Sequence, residues 1–320
     1  MVSRYLHVVA AAIIDSHNQV LIARRPGNTH QGGKWEFPGG KMEQGETAPQ
    51  ALSRELNEEL GIQPLACEPL IKVRHDYPDR VVLLDVWRVT QFKGVPYGRE
   101  GQPVTWVKLG ELQRFTFPQA NLPILKALRL PETYLITPQS PVSWSDFLFN
   151  LERLLRQGQK LIRFRAKTSS TEAYLQYAQE VIRLCHDYSA RVLVDYAPQW
   201  PGLFTADGIH LSSHWLMKVQ QRPFTKGLLL AASCHDKVEI EKANLIQADF
   251  IVLSPVKYTT SHQGARVLGW ETFGALCEGA AMPVYALGGM RPRDIRKARR
   301  YGGQGIAAIR SLWSASAFSN

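Results

Sequence analysis

Residues 40–62 read GKMEQGETAPQALSRELNEELGI. Glu55, Glu58 and Glu59 stand at i, i+3 and i+4, a spacing that a helix brings onto one face. Three carboxylates so close repel one another, and a solvated helix gains nothing by collecting them. A hard divalent cation, which takes oxygen ligands and leaves room for substrate phosphate and water, would give the cluster a purpose. Leu52, Leu56 and Leu60 recur every four residues on the opposite side and supply a stripe to bury. Arg54 is placed to pair with Glu46 and hold the preceding loop against the helix. An exposed amphipathic helix would explain the acids alone, but the whole spacing G-x5-E-x7-R-E-U-x-E-E-x-G-U, with U apolar, is met at every specified position.

The elements that must position these groups follow from periodicity. The helix is expected from just after Gly45 to Gly61, which suits the left-handed residue past a helix end. Strands are expected at Leu6–Ile14, Val20–Ala23, Val81–Val89 and Val104–Val107, with a second helix at Asn121–Leu130. A seam at Leu130–Thr133, containing Pro131, divides the chain into domains 1–131 and 132–320. Beyond it the rhythm becomes strand–helix alternation. Strands are expected at Tyr134–Ile136, Leu161–Phe164, Val192–Asp195, Ile209–Leu211, Leu228–Ala231, Phe250–Leu253, Val284–Leu287 and Gly305–Ile309. Helices near Ser143–Gln157 and Thr171–Asp187 fall between the first of these. Right-handed crossovers then give a parallel sheet, and eight such units suggest a closed (β/α)8 barrel. The domain is slightly small for that fold, so helices must be short or missing, as between Asp195 and Asp207.

Composition sets outer bounds. The 320 residues are 45% hydrophobic and 21% charged, with a formal charge of +10. No apolar run is long enough to cross a bilayer, and no signal-peptide pattern is convincing, so a cytoplasmic protein is expected. Cys67, Cys185, Cys234 and Cys277 form no CxxC pair; buried free thiols are expected rather than a zinc site or disulfides. The positive charge favours phosphate-bearing partners, but part of it sits in the helical run Arg291–Arg300, and no stable nucleic-acid partner is expected.

The spaced pattern around Glu55 is similar to the Nudix box. Residues 5–128 resemble the MutT-type 8-oxo-dGTP diphosphatases, through LIARRPGNTHQGGKWEFPGGKMEQGET, YPDRVVLLDVW, PYGREGQPVTW and FPQANLPIL. The resemblance implies an α/β/α sandwich with a mixed sheet and a hydrolase needing Mg²⁺, for which Mn²⁺ can substitute. The metal ligands it implies are the Gly39 carbonyl with Glu55, Glu58, Glu59 and the outlying Glu100. The four glutamates Glu55, Glu58, Glu59 and Glu100 make up the implied catalytic set, with Glu55 or Glu100 as general base. The base-recognition residues it implies are Arg25, His30, Phe37, Asp79 and Asn121. Singly these read as loop residues, a core ring, a turn and a helix cap; in order around a complete box they read as a base site. The implied reaction is attack of water on the β-phosphorus of a nucleoside triphosphate, yielding the monophosphate and pyrophosphate.

DGIHLSS, GLLLAASCHD, ADFIVLSPVKYTTSH and PVYALGGM resemble thiamine phosphate synthase and TenI-like proteins over residues 133–312. The resemblance implies a phosphate-bearing ligand at Gly288 and Gly289 after the seventh strand and at Arg310 and Ser311 after the eighth; a plain pair of turn glycines is the other reading. The family's Asn-Asp stretch is replaced by Asp195-Tyr196-Ala197, and its second acid falls where Ser212-Ser213-His214-Trp215 stands. Its diphosphate-loop lysine is missing from Tyr258-Thr259-Thr260-Ser261-His262. The barrel is therefore expected to lack synthase activity, and His210 to be either a site residue or a hydrogen-bonded interior one. The reading is an 8-oxo-dGTP diphosphatase that limits replication errors. The alternatives are a Nudix enzyme for another substrate, such as a thiamine-related pyrophosphate, and a bifunctional enzyme with synthase activity.

Overall fold

The computed structural model describes residues 4–314 apart from 28, 30, 78–79, 140–142, 167–169, 198–204, 225–226, 260–263 and 265, and leaves the side chains of residues 4, 5 and 76 undescribed. His30 and Asp79, and the loop residues Thr260, Ser261 and His262, therefore lie outside the described residues. The chain divides into two compact units, one ending at Arg129 and the other beginning at Leu130.

In the first unit β1 (Arg4–Ile13) pairs in parallel with β5 (Arg80–Lys93), which pairs antiparallel with β4 (Gln63–Asp76). A second, antiparallel sheet orders β3 (Trp35–Glu36), β2 (Gln19–Arg24) and β6 (Val104–Lys108). Period-two alternation gives β1 two apolar faces. Val9, Ala11 and Ile13 pack with Leu52, Leu56 and Leu60 of α1 (Ala48–Leu60), and Ala10 and Ala12 pack with Ile124, Ala127 and Leu128 of α2 (Leu122–Arg129). Helices thus cover opposite faces. The three α1 leucines are fully buried, a contribution of about 1.5–3 kcal/mol each. α1 starts with Pro49 in its first turn, and Thr47 donates from N–H and Oγ to Gln50 Oε1 at 2.9 and 2.7 Å. It stops at Gly61, φ 68°, whose N–H reaches the Asn57 carbonyl at 3.0 Å.

Strand β4 was not expected from the sequence. It carries Pro64 and Pro69, and its register against β5 shifts beside each of them, so the alternation that marks a strand is interrupted. Its Cys67 is exposed, which corrects the expectation of a buried thiol; Cys185, Cys234 and Cys277 are buried as expected.

In the second unit eight parallel strands close in the order β10-β11-β12-β13-β14-β7-β8-β9. They are β7 (Thr133–Ile136), β8 (Leu161–Phe164), β9 (Arg191–Asp195), β10 (Gly208–Leu211), β11 (Leu229–Cys234), β12 (Phe250–Leu253), β13 (Val284–Ala286) and β14 (Gly305–Ala308). Among the described residues seven α-helices accompany them: α3 (Trp144–Arg156), α4 (Thr171–Asp187), α5 (Ser213–Lys218), α6 (Lys237–Leu245), α7 (Gly269–Cys277), α8 (Ile295–Arg300) and α9 (Arg310–Trp313). The connection 196–207 has no helix among its described residues, and α5 and α9 are short. Inside the barrel Tyr134, Phe250 and Tyr285 are fully buried, with Tyr134–Phe250 and Phe250–Tyr285 edge-to-face at 5.0 and 5.5 Å. The carbonyls of Leu130, Pro131 and Glu132 accept bonds from Gln304 Nε2, Tyr285 Oη and the Ile306 N–H. Those bonds tie the linker to the barrel and set the division before Leu130 rather than after Pro131.

Candidate active site

The acidic face of α1 is organised by a glycine pair and one arginine. The segment through Gly39 and Gly40 runs along β1: the Val9 N–H donates to the Gly40 carbonyl and the Ala11 N–H to the Pro38 carbonyl. Gly39 has φ 143°, and a Cβ there would lie 2.2 Å from the Val9 carbonyl oxygen. No larger residue allows that approach. The Gly39 N–H donates to Glu59 Oε2 at 3.0 Å, and a Cβ on Gly40 would fall 2.3 Å from Glu55 Oε2. Both carboxylates therefore sit directly against the glycine turn.

Arg54 gathers the others. Its Nε and Nη2 grip Glu46 at 2.8 and 2.9 Å, Nη1 donates to Glu55 at 2.9 Å and Glu58 at 3.3 Å, and Nη2 also reaches the Lys41 carbonyl at 3.0 Å. The expected pairing with Glu46 is present in bidentate form. Hydrogen bonds from Arg54 hold the Glu46 carboxyl down to about 2. Glu59 is different: burial, with the nearby charges of Glu36, Glu55 and Glu100, pushes it up to about 8 against the lowering bond from Gly39.

Glu100 is exposed, on a loop that closes the C-terminal end of α1. Tyr97 N–H, Arg99 N–H and Gln102 Nε2 donate to the carbonyls of Leu60, Glu59 and Glu59 at 3.2, 3.0 and 3.1 Å, and Arg99 Nη1 donates to that of Asn57 at 2.8 Å. Helix-end carbonyls left over by the helix are thus satisfied by the loop that carries Glu100.

Oxygen donors with excess negative charge fit a hard divalent cation, which would offset both the burial and the neighbouring charges that raise Glu59. Among the described residues no three His, Cys, Asp or Glu side chains stand close enough to grip an ion as they are. Arg54 takes Glu55 and Glu58, while the Gly39 N–H takes Glu59.

A cavity of about 410 Å³ adjoins Glu59, Gly39 and Gly40, and Arg25, Phe37 and Asn121 line it as well. The structure thus brings together three of the five expected base-recognition positions; the other two are His30 and Asp79. Leu6, Val8, Val82, Leu84 and Ile124 give it apolar walls. Phe37 is stacked on Phe117 at 5.7 Å, and Asn121 is buried at the end of the turn Gln119–Asn121. Sequence reasoning missed Glu36, Tyr77 and Arg80 in the same wall. Arg25 pairs closely with Glu36, whose carboxyl burial nonetheless raises. Burial likewise raises the Tyr77 phenol, against the charges of Arg25 and Arg80. Nothing local in the sequence marks Glu36, on a strand of two residues, or Tyr77.

The barrel has its own cavity of about 750 Å³ at the C-terminal ends of its strands. Gly288, Gly289, Arg310 and Ser311 all line it, as expected for one site. The glycines also have a packing reason: φ is 96° and 65°, and a Cβ would lie 2.8 Å from Pro255 Cα or 2.5 Å from the Tyr258 carbonyl oxygen. His210 is a fully buried interior residue between Tyr134 Oη, 3.1 Å from Nδ1, and Ser233 Oγ, 2.8 Å from Nε2. Burial, aided by Arg163 and Arg165, holds it well below the ordinary imidazole value, so the ring is neutral.

Residues 9–127 match the NUDIX domain family, and residues 133–312 match the family described as thiamine monophosphate synthase. The chain belongs to both families. Its Nudix part is 41% identical over 124 residues to the 8-oxo-dGTP diphosphatase of Escherichia coli (strain K12), covering 39% of this chain and 96% of that protein. It is 52% identical over 93 residues to the 8-oxo-dGTP diphosphatase of Proteus vulgaris, covering 29% of this chain and 83% of that one. The barrel is 30% identical over 182 residues to a candidate thiamine-phosphate synthase of Aquifex aeolicus (strain VF5), covering 57% of this chain and 97% of that protein. The Nudix unit is a hydrolase of a family whose members generally need a divalent metal. No described helix is long and apolar enough to cross a membrane.

Proposed function

We propose that the Nudix unit hydrolyses 8-oxo-dGTP to 8-oxo-dGMP and pyrophosphate with Mg²⁺, for which Mn²⁺ can substitute, and so keeps the oxidised base out of DNA. The observation that carries this is the single cavity shared by Phe37, Asn121 and Arg25 with Gly39 and the acidic face at Glu59. Base and phosphates of one nucleotide then have adjacent, chemically suited walls.

Oxidation turns the purine N7 from an acceptor into an N–H donor. A buried amide oxygen such as that of Asn121 can accept from it, whereas the N7 of dGTP would leave both groups unpaired. The apolar walls and Phe37 take the ring faces. Mg²⁺, when bound, supplies neutralisation of charge on the phosphates and a more acidic water. The Gly39 carbonyl with Glu55, Glu58, Glu59 and Glu100 would hold it. Arg54 keeps Glu55 and Glu58 in place through the bonds already described. Water adds to the β-phosphorus, the bond to the α–β bridging oxygen breaks, and the monophosphate leaves with that oxygen. The water proton passes to Glu55 or Glu100.

The test is pyrophosphate release from 8-oxo-dGTP, dGTP and CTP, comparing kcat/KM for the wild type and Glu59→Gln. The expected result is a strong preference for 8-oxo-dGTP and a loss of about 10²–10³-fold in the variant. Equal turnover of all three nucleotides would remove the substrate assignment, and a thiamine-related pyrophosphate, suggested by the barrel's family, would be assayed next.

A further inference from the structure

The described residues lining the barrel cavity include four arginines (Arg163, Arg165, Arg291 and Arg310), two histidines (His214 and His235) and no carboxylate. The acids close behind that lining are already engaged: Asp195 is taken by the nearly buried Arg163, whose Nε donates to it at 2.7 Å, Glu239 accepts from Ser213 Oγ and the His235 N–H, and Asp294 accepts from Lys257 Nζ and the Arg291 N–H. Arg165 has no ion pair among the described residues. Its Nε and Nη2 meet the neutral amide oxygen of Gln139 at 3.0 and 2.9 Å, in the amide orientation that satisfies both groups. Burial and the neighbouring Arg163 charge hold Arg165 below the usual arginine value, so the pair of guanidiniums is short of negative charge.

A divalent cation, which the synthase resemblance implies beside a diphosphate, does not fit these residues. Of the two stretches where acids are expected, the first offers only Asp195, already paired with Arg163, followed by Tyr196, and the second offers Trp215; the two rings pack edge-to-face at 5.6 Å. Lys218 Nζ lies 5.3 Å from the Trp215 ring centroid, so this corner holds an ammonium where a metal ion would need oxygen donors. His235 spends Nδ1 as a donor to the Ser254 carbonyl at 2.7 Å, which leaves Nε2 as its remaining ring nitrogen.

We propose that the barrel mouth binds the phosphate or diphosphate group of a small molecule directly on its arginines, with no divalent cation. Guanidinium forks match phosphate oxygens bidentately and carry the charge a metal would otherwise bring. A cavity of about 750 Å³ is far larger than a phosphate, so the anion is one part of a metabolite-sized ligand. This inference does not depend on the Nudix substrate, which pyrophosphate release tests separately.

The experiment is calorimetric titration of the full chain carrying Glu59→Gln, which disables the Nudix metal site, with inorganic pyrophosphate, in EDTA and then in Mg²⁺. Binding in EDTA that Mg²⁺ fails to strengthen is expected, weakened about tenfold or more by Arg165→Gln and partly restored by Arg165→Lys. Should Arg165→Gln fail to fold, Arg291→Gln, at an exposed position, should weaken binding in the same direction. Heat that appears only with Mg²⁺, or affinity unchanged in the arginine variants, would overturn the proposal.

Discussion

The acidic face of α1 and the cavity of the barrel have opposite casts of charge. At α1, Arg54 is bound to Glu46, Glu55 and Glu58, with Glu59 beside them on the Gly39 N–H; at the barrel mouth, four arginines and two histidines line the cavity, and Asp195 beside it is bound to Arg163. Each minority charge fastens part of the majority. Arg54 holds Glu46, Glu55 and Glu58, while Asp195 holds only Arg163 and leaves Arg165 to a neutral amide. The contrast teaches that two phosphate-directed sites in one chain need not share a strategy. A glutamate face requires a cation between itself and phosphate, whereas an arginine wall is itself the counter-charge.

The largest expected effect breaks the acidic side of this comparison. Arg54→Ala should lower kcat/KM for pyrophosphate release by about 10²-fold, within the range for a group that orients metal ligands. Arg54→Lys should recover little, because an ammonium cannot hold Glu46 bidentately while reaching Glu55 and Glu58. Wild-type activity in Arg54→Ala would mean the glutamates are oriented by something else.

A second pair sharpens the geometry. Gly40→Ala pushes a methyl onto the mobile end of Glu55 and should cost roughly tenfold in kcat/KM with little change in Tm. Gly39→Ala meets fixed backbone at a positive φ and should instead lose about 2–3 kcal/mol of stability, read by denaturant unfolding. The reverse ranking would show that the turn, not Glu55, yields.

The smallest effect is electrostatic. In the metal-free folded chain Glu59 keeps its proton up to about pH 8, against an ordinary 4.5. The folded state binds the extra proton across that window, so stability falls as pH rises through it and levels off above. Measured in EDTA, the wild-type Tm should drop by a few degrees relative to Glu59→Gln between about pH 5 and 8. A constant difference would mean that burial and the neighbouring carboxylates do not hold a proton on Glu59.

Much of the acidic site was legible because helical spacing is rigid: fixing Glu55 fixes Glu58, Glu59 and the leucine stripe opposite. The eight barrel strands were legible for a similar reason, as short apolar runs at regular intervals. What escaped was non-local or irregular. The bulges beside Pro64 and Pro69 hid β4, and the loop 97–102 reads as polar until it is seen closing the end of α1. Glu36 and Tyr77 reach the cavity only through sheet pairing and chain reversal that no local pattern encodes. At the barrel, the sequence showed which acids were missing; only the structure put Tyr196 against Trp215 in their place.

The ring cluster of Tyr134, Phe250 and Tyr285 has a consequence for traffic. With those side chains fully buried, the barrel is a cup and not a tunnel. Whatever enters at the arginine-lined rim must leave by the same opening.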